Sequence, residues 1–213
     1  MIRSEKGTLS TGAVVYSAKI GIIFYLVFYL ANYISSNRQG IEVIKFPWEA
    51  SVPFYPGWSI VYLTVSPLLC LAPFIFDSME ELKKMGQVII VEVIVAALFF
   101  VFLPLAAPNE GLVAGGWSKW FFQLANEMNL SHNSFPSLHV ALSFTAAFFY
   151  RDSVNKIYAI LFFVWAALIA VSTQLIHEHY FIDLLGGIAL VPLSIYIANF
   201  QFNRNPIQES SQL

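Results

Sequence analysis

Residues 155–176 read NKIYAILFFVWAALIAVSTQLI, one charge at Lys156 and then an apolar run with no further charged residue. A helix of that length reaches about 33 Å at 1.5 Å per residue, and the hydrocarbon core of a bilayer is about 30 Å thick. Only a helix closes its own backbone hydrogen bonds within one segment in that medium, so the stretch predicts a membrane span. The same test carried outward predicts spans at about 12–35, 55–76, 84–107, 135–150 and 180–202. The expected fold is therefore all-α, an integral membrane bundle of six transmembrane helices. The longest connection, Pro108 to Ser134, is too short for a soluble domain, so residues 1–213 are expected to form a single membrane-embedded domain.

Composition agrees, with 58% hydrophobic and 11% charged residues where a soluble domain carries roughly a quarter charged. A net charge of -2 without a Lys/Arg cluster excludes nucleic acid as a partner. Cys70 is the single cysteine and lies in an apolar block, so no intrachain disulfide can form and the thiol is expected to pack. The first apolar block lacks a small-residue cleavage site and reads as a retained helix, not a signal peptide.

The basic residues fall unevenly between the two sides of such a bundle. Arg3, Lys6, Lys83, Lys84, Arg151, Lys156 and Arg204 share one side, and Arg38, Lys45 and Lys119 the other. The positive-inside bias puts both termini in the cytoplasm, and a bacterial cytoplasmic membrane suits so small a chain. The segments 36–54, 108–134 and 177–179 then face outward. All four histidines, His132, His139, His177 and His179, lie in or beside the last two. Within 108–134, Trp117, Trp120, Phe121, Leu124 and Met128 recur at helical spacing. They predict a short interfacial helix between the third and fourth spans.

Two motifs could carry chemistry. In Ser134-Phe135-Pro136-Ser137-Leu138-His139, Ser134 suits an N-cap and Pro136 the first helical turn. The free amides of that turn, with Ser137 beside them, would favour a phosphate, and His139 would sit one turn inside. Alone this is equally an ordinary capped helix start. In Ser172–Asp183, His179 and Asp183 are four apart, so in a helix the carboxylate can accept the imidazole N–H. An ionisable pair at a membrane helix end is costly without a purpose, although it could simply anchor the helix in the headgroups. His177, six residues before Asp183, falls on another face and is expected to be auxiliary.

Together the motifs resemble the phosphatidic acid phosphatase type 2 superfamily over roughly residues 100–195. Pro136, Ser137, Leu138 and His139 match its Pro-Ser-x-His block, and His179 and Asp183 its His-x-x-x-Asp ending. The wording SFPSLH and HEHYFIDLLGG looks most like the inositol phosphorylceramide synthase branch, whose second block contains His-His-Tyr-Phe-x-Asp. The resemblance implies a metal-independent lipid phosphatase or phosphotransferase. In it His179 attacks phosphorus to form a phosphohistidine, Asp183 holds its tautomer and His139 acts as general acid. Pro136, Ser137, Thr173, Lys119 and His177 are the expected substrate-binding residues. The substrate would be a lipid phosphate or phospholipid and the acceptor water or an alcohol. No metal and no cofactor is expected.

Two departures shift the substrate. The Lys and Arg-Pro of an earlier family block are absent from Phe102–Pro108, and Thr173 stands where the family carries an Arg six residues before the nucleophilic His. Less positive charge favours a phosphodiester over a dianionic monoester. Rival readings are a metal site built from His139, His177, His179 and Asp183, and a catalytically inactive lipid-phosphate-binding protein. A transporter is the third, for which Glu92 within the third span is the evidence. The His-Glu-x-x-His spacing is missing, as are inverted repeats. Glu92 is expected to pair with a hydroxyl of a neighbouring helix.

Overall fold

The computed structural model describes residues 11–36, 42–108, 111–128 and 133–204, so Arg3, Lys6, Arg38 and His132 lie outside it. The chain is helical throughout: α1 (Thr11–Ser35), α2 (Ser59–Leu63), α3 (Val65–Cys70), α4 (Ala72–Ile75), α5 (Met79–Phe102), α6 (Lys119–Met128), α7 (Leu138–Tyr150), α8 (Lys156–Leu175) and α9 (Phe181–Arg204). Among the described residues no strand forms; Leu105 makes isolated bridges with Glu42 and Asn133. Four helices, α1, α5, α8 and α9, are long and apolar enough to cross a membrane.

The stretch expected as one helix over 55–76 is a staircase of short turns. Pro67 and Pro73 have no N–H to give the carbonyls of Leu63 and Leu69, and the α-helical pieces end at Leu63 and Cys70. Trp165 Nε1 donates to Thr64 Oγ1 at 2.8 Å, and the Tyr150 hydroxyl to the Leu68 carbonyl at 2.8 Å, bonds that tie the broken segment to α8 and α7. The third span begins five residues earlier than expected. Ser78 caps it, its hydroxyl accepting from the Glu81 amide while the Glu81 carboxylate accepts from the Ser78 amide. It ends at Phe102 because Pro104 drives Leu103 out of the helical region.

At the centre lies α7, 13 residues long, packed against α3, α5, α8 and α9. Its Ala141, Ser143, Thr145, Ala146 and Ala147 are fully buried, small side chains that let the neighbours approach closely. α1 stands at the edge, packed on α5 and touching α4. Glu92 on α5 is buried and accepts from the Thr145 hydroxyl on α7, the inter-helix pairing the sequence leads one to expect.

The short helix expected between the third and fourth spans is present as α6. Phe122 and Ala125 are its buried face, packed with Tyr62 and Ile176, while Trp117 and Trp120 are exposed. The bundle takes the smaller apolar side chains, and the indoles are left for the headgroup region, where their amphipathic rings are favoured.

Candidate active site

The geometry starts from the way α8 stops. His177 takes the left-handed conformation at φ 57. The Glu178 amide reaches the Thr173 carbonyl at 2.9 Å and the His177 amide the Gln174 carbonyl at 3.1 Å, the paired bonds of a Schellman stop. The next helix begins at once: Asp183 Oδ2 accepts the Tyr180 amide at 2.8 Å, a cap three residues into α9. His179 is held between stop and start. Its backbone carbonyl accepts from Gln174 Nε2 at 2.8 Å, and its Nδ1 lies 3.5 Å from Asp183 Oδ2, just beyond a formed hydrogen bond.

The second motif is set against this segment by backbone contact. Ser137 donates its amide to the Asp183 carbonyl at 3.0 Å. A Cβ on Gly187 would fall 2.5 Å from the Ser137 carbonyl, and one on Gly186 2.5 Å from the Phe135 ring. Only glycine permits that approach. It carries His139 to His179, 6.1 Å between ring centroids, with His179 buried and His139 half-buried. Tyr62 from α2 covers the other face of His139, stacked at 3.9 Å and 25°.

The N-cap of α7 is Ser137 and not Ser134: the Ser137 hydroxyl accepts the Val140 amide, and Pro136 precedes the helix instead of opening it. One first-turn amide is spent on Asp183 and one on Ser137, leaving those of Leu138 and His139 without a protein acceptor among the described residues. Thr173 is buried, with its hydroxyl donating to Ala170 of its own helix. His177 turns away, its Nε2 3.2 Å from the Val52 carbonyl and its ring against Phe54. Lys119 is exposed and does not line the cavity that holds the two histidines.

Three residues from outside the motifs, Glu49, Tyr55 and Tyr62, pack against them. Glu49, from the 46–55 segment, accepts the Phe181 amide at 2.6 Å and the Phe46 amide at 2.6 Å, capping α9 from outside. Tyr55 donates to the Leu175 carbonyl at 2.7 Å, so the same segment straps both ends of the turn that holds His179. Glu178 is buried, its charge within electrostatic reach of Tyr62. Between the helices, the Tyr180 phenol is raised above its ordinary pKa by burial and by the Glu49 and Asp183 carboxylates, so it stays a proton donor. The one cue to Glu49 was a lone carboxylate in an aromatic loop, and Tyr62 gave none.

Both ring nitrogens of His179, Asp183 Oδ1, the Tyr62 hydroxyl and the Ser134 hydroxyl are buried without a protein hydrogen-bond partner. Natural interiors leave few such atoms; these five lie at the histidine end of the bundle, while Ser17 Oγ, Glu92 Oε2 and Ser194 Oγ are unpartnered elsewhere in it. His139 and His179 close the top of a cavity of about 450 Å³ that runs down between α1, α3 and α5. No Lys or Arg lines it. Among the described residues no three His, Cys, Asp or Glu side chains group to hold a metal ion.

Comparison with known proteins yields a family match. The family model described as the PAP2 superfamily matches residues 57–197. No curated protein matches the chain. Among solved structures, the crystal structure of LpxE from Aquifex aeolicus is similar at 19% identity and a TM-score of 0.49, covering 81% of this chain and 94% of that one.

Proposed function

Because the chain belongs to the PAP2 superfamily, we propose that it is a membrane enzyme that cleaves or transfers the phosphoryl or phospho-headgroup of a lipid phosphate ester. The observation that carries the reading is the buried His179–Asp183 pair with the half-buried His139 beside it, the nitrogens of His179 being unpartnered. Such unspent polar groups cost stability in a protein that makes no use of them.

His179 Nε2 attacks phosphorus and the P–O ester bond breaks, giving a phosphohistidine. Asp183 accepts a hydrogen bond from Nδ1–H, fixing the tautomer and stabilising the cationic ring, as its 3.5 Å approach closes on substrate binding. His139 protonates the departing oxygen and later takes the proton of the attacking water or alcohol. The Leu138 and His139 amides, at the positive end of α7, and a rotated Thr173 hydroxyl bind the equatorial oxygens. Ser137 and Pro136 shape that helix end. Tyr62 keeps the His139 ring plane. Lys119, exposed and outside the cavity lining, and His177, turned to the Val52 carbonyl, take no step in this scheme.

The bundle is one domain of six crossings, with the 56–75 staircase and α7 completing the four long helices. Lys83, Lys84, Arg151 and Lys156 lie at the helix ends opposite the histidines, which supports cytoplasmic termini and a site on the outer face. The test is product analysis by mass spectrometry with phosphatidic acid, phosphatidylglycerophosphate, a prenyl pyrophosphate and phosphatidylinositol. Wild-type protein should release a dephosphorylated lipid or diacylglycerol, and His179→Ala should lower turnover by about 10⁴-fold or more. Free phosphate identifies a hydrolase and a transferred headgroup a transferase. Turnover that survives in His179→Ala would remove the mechanism.

A further inference from the structure

The cavity beneath the histidines reaches Tyr16 and Gly86 at its far end. Tyr16 on α1 lies across α5: its hydroxyl donates to the Lys83 carbonyl at 3.2 Å, and a Cβ on Gly86 would meet that oxygen at 2.5 Å. Gly86 is therefore the space the Tyr16 ring occupies, and the two make a floor. From Tyr16 to Tyr29, the span of α1 that lines the cavity, is about 20 Å. Between floor and histidines the lining is largely apolar, with Ile20, Phe24, Leu69 and Leu142 among its residues. Its 450 Å³ holds roughly fifteen groups of about 30 Å³, the volume of a water in the liquid and close to that of a methylene.

We infer that this cavity holds one hydrocarbon chain of the substrate, headgroup at His179 and chain end at Tyr16, and that the floor sets the longest chain accepted. The inference rests on the lipid-phosphate reading above and adds to it the number and length of enclosed chains. Continuity names the occupant: the residues proposed to handle the phosphate are themselves the upper wall of the apolar space. A second chain has no room beside the first.

Gly21 offers the means to test it. It lies on the lining face of α1, about 7 Å above Tyr16 along the helix. A Cβ there meets no atom within 4 Å. Gly21→Leu thus puts a side chain into the cavity without disturbing its walls. Turnover of hexadecyl phosphate relative to octyl phosphate, in matched detergent micelles, should fall by about tenfold or more in Gly21→Leu. Tyr16→Ala removes the floor and should raise the ratio for chains longer than hexadecyl. Leu26→Ala, on the exposed face of α1, should keep the parent ratio. A ratio unchanged within twofold in both cavity variants overturns the inference.

Labelling separates this from the enzymatic reading. A hexadecyl phosphate with a diazirine at the chain end should mark the peptides containing Tyr16 or Gly86, in wild type and in His179→Ala alike. Labels spread over the outer face of α1 overturn the tail pocket even if turnover is found. Labels at the floor in a protein that turns over nothing uphold it and remove the enzyme.

Discussion

Asp183 and Glu92 are both buried carboxylates on membrane helices, and their surroundings differ. Glu92 sits in the interior of α5, one oxygen accepting from the Thr145 hydroxyl of α7 and the other buried without a partner. Asp183 sits at a helix start beside His179, with one oxygen shared between the Tyr180 amide and the imidazole and the other unpartnered. What differs is the company: beside Asp183 lie the two unpartnered ring nitrogens of His179, whereas Glu92 faces a hydroxyl on the next helix. An acid bound to a neighbouring helix suits a structural tie, and one set against an unpartnered imidazole suits the proposed chemistry.

The contrast can be broken by substitution. Asp183→Asn keeps an oxygen for the Tyr180 amide, so the helix start should survive while kcat falls about 10²- to 10⁴-fold. Thermal unfolding and turnover measured on the same preparation check both halves. If activity persists, Asp183 is only a cap and the contrast collapses. Glu49→Gln comes next. It weakens the external cap on α9 by about 1 kcal/mol, and kcat should drop by roughly threefold to tenfold as the strap loosens, with KM moving less. Equal loss in kcat and stability from Glu49→Gln and Asp183→Asn would erase the difference between positioning and catalysis. The smallest effect belongs to Glu92→Gln, whose amide oxygen still accepts from Thr145. Turnover should stay within about twofold of the parent. Loss of activity there would place chemistry or ion movement in the middle of the bundle and revive the transporter reading.

Much of this was legible in the sequence where the cause is local. Residue type over a run of about 20 positions decides whether a helix suits hydrocarbon, so the long helices read correctly. The proposed trio could be picked out because His179 and Asp183 are neighbours on one turn and because Pro136–His139 stands at a helix start. Boundaries were lost where a competing local signal went unread: the Ser78–Glu81 box moved α5, and Pro67 and Pro73 broke the second apolar stretch. Which side of α6 packs on the bundle was not legible, because amphipathic spacing says that a helix has two sides and not which of them a bundle has room for.

By itself, the sequence determined an all-helical membrane chain with two histidine motifs at one end, since hydropathy, capping and i,i+4 spacing act over a few residues. Tertiary structure alone decided that Tyr62 stacks on His139, that Glu49 reaches Phe181 across 132 positions, that His177 faces Val52, and that the space under the histidines reaches Tyr16. Those contacts join residues far apart in the chain. They follow from how the helices pack, where a missing Cβ at Gly86, Gly186 or Gly187 fixes which side chains meet.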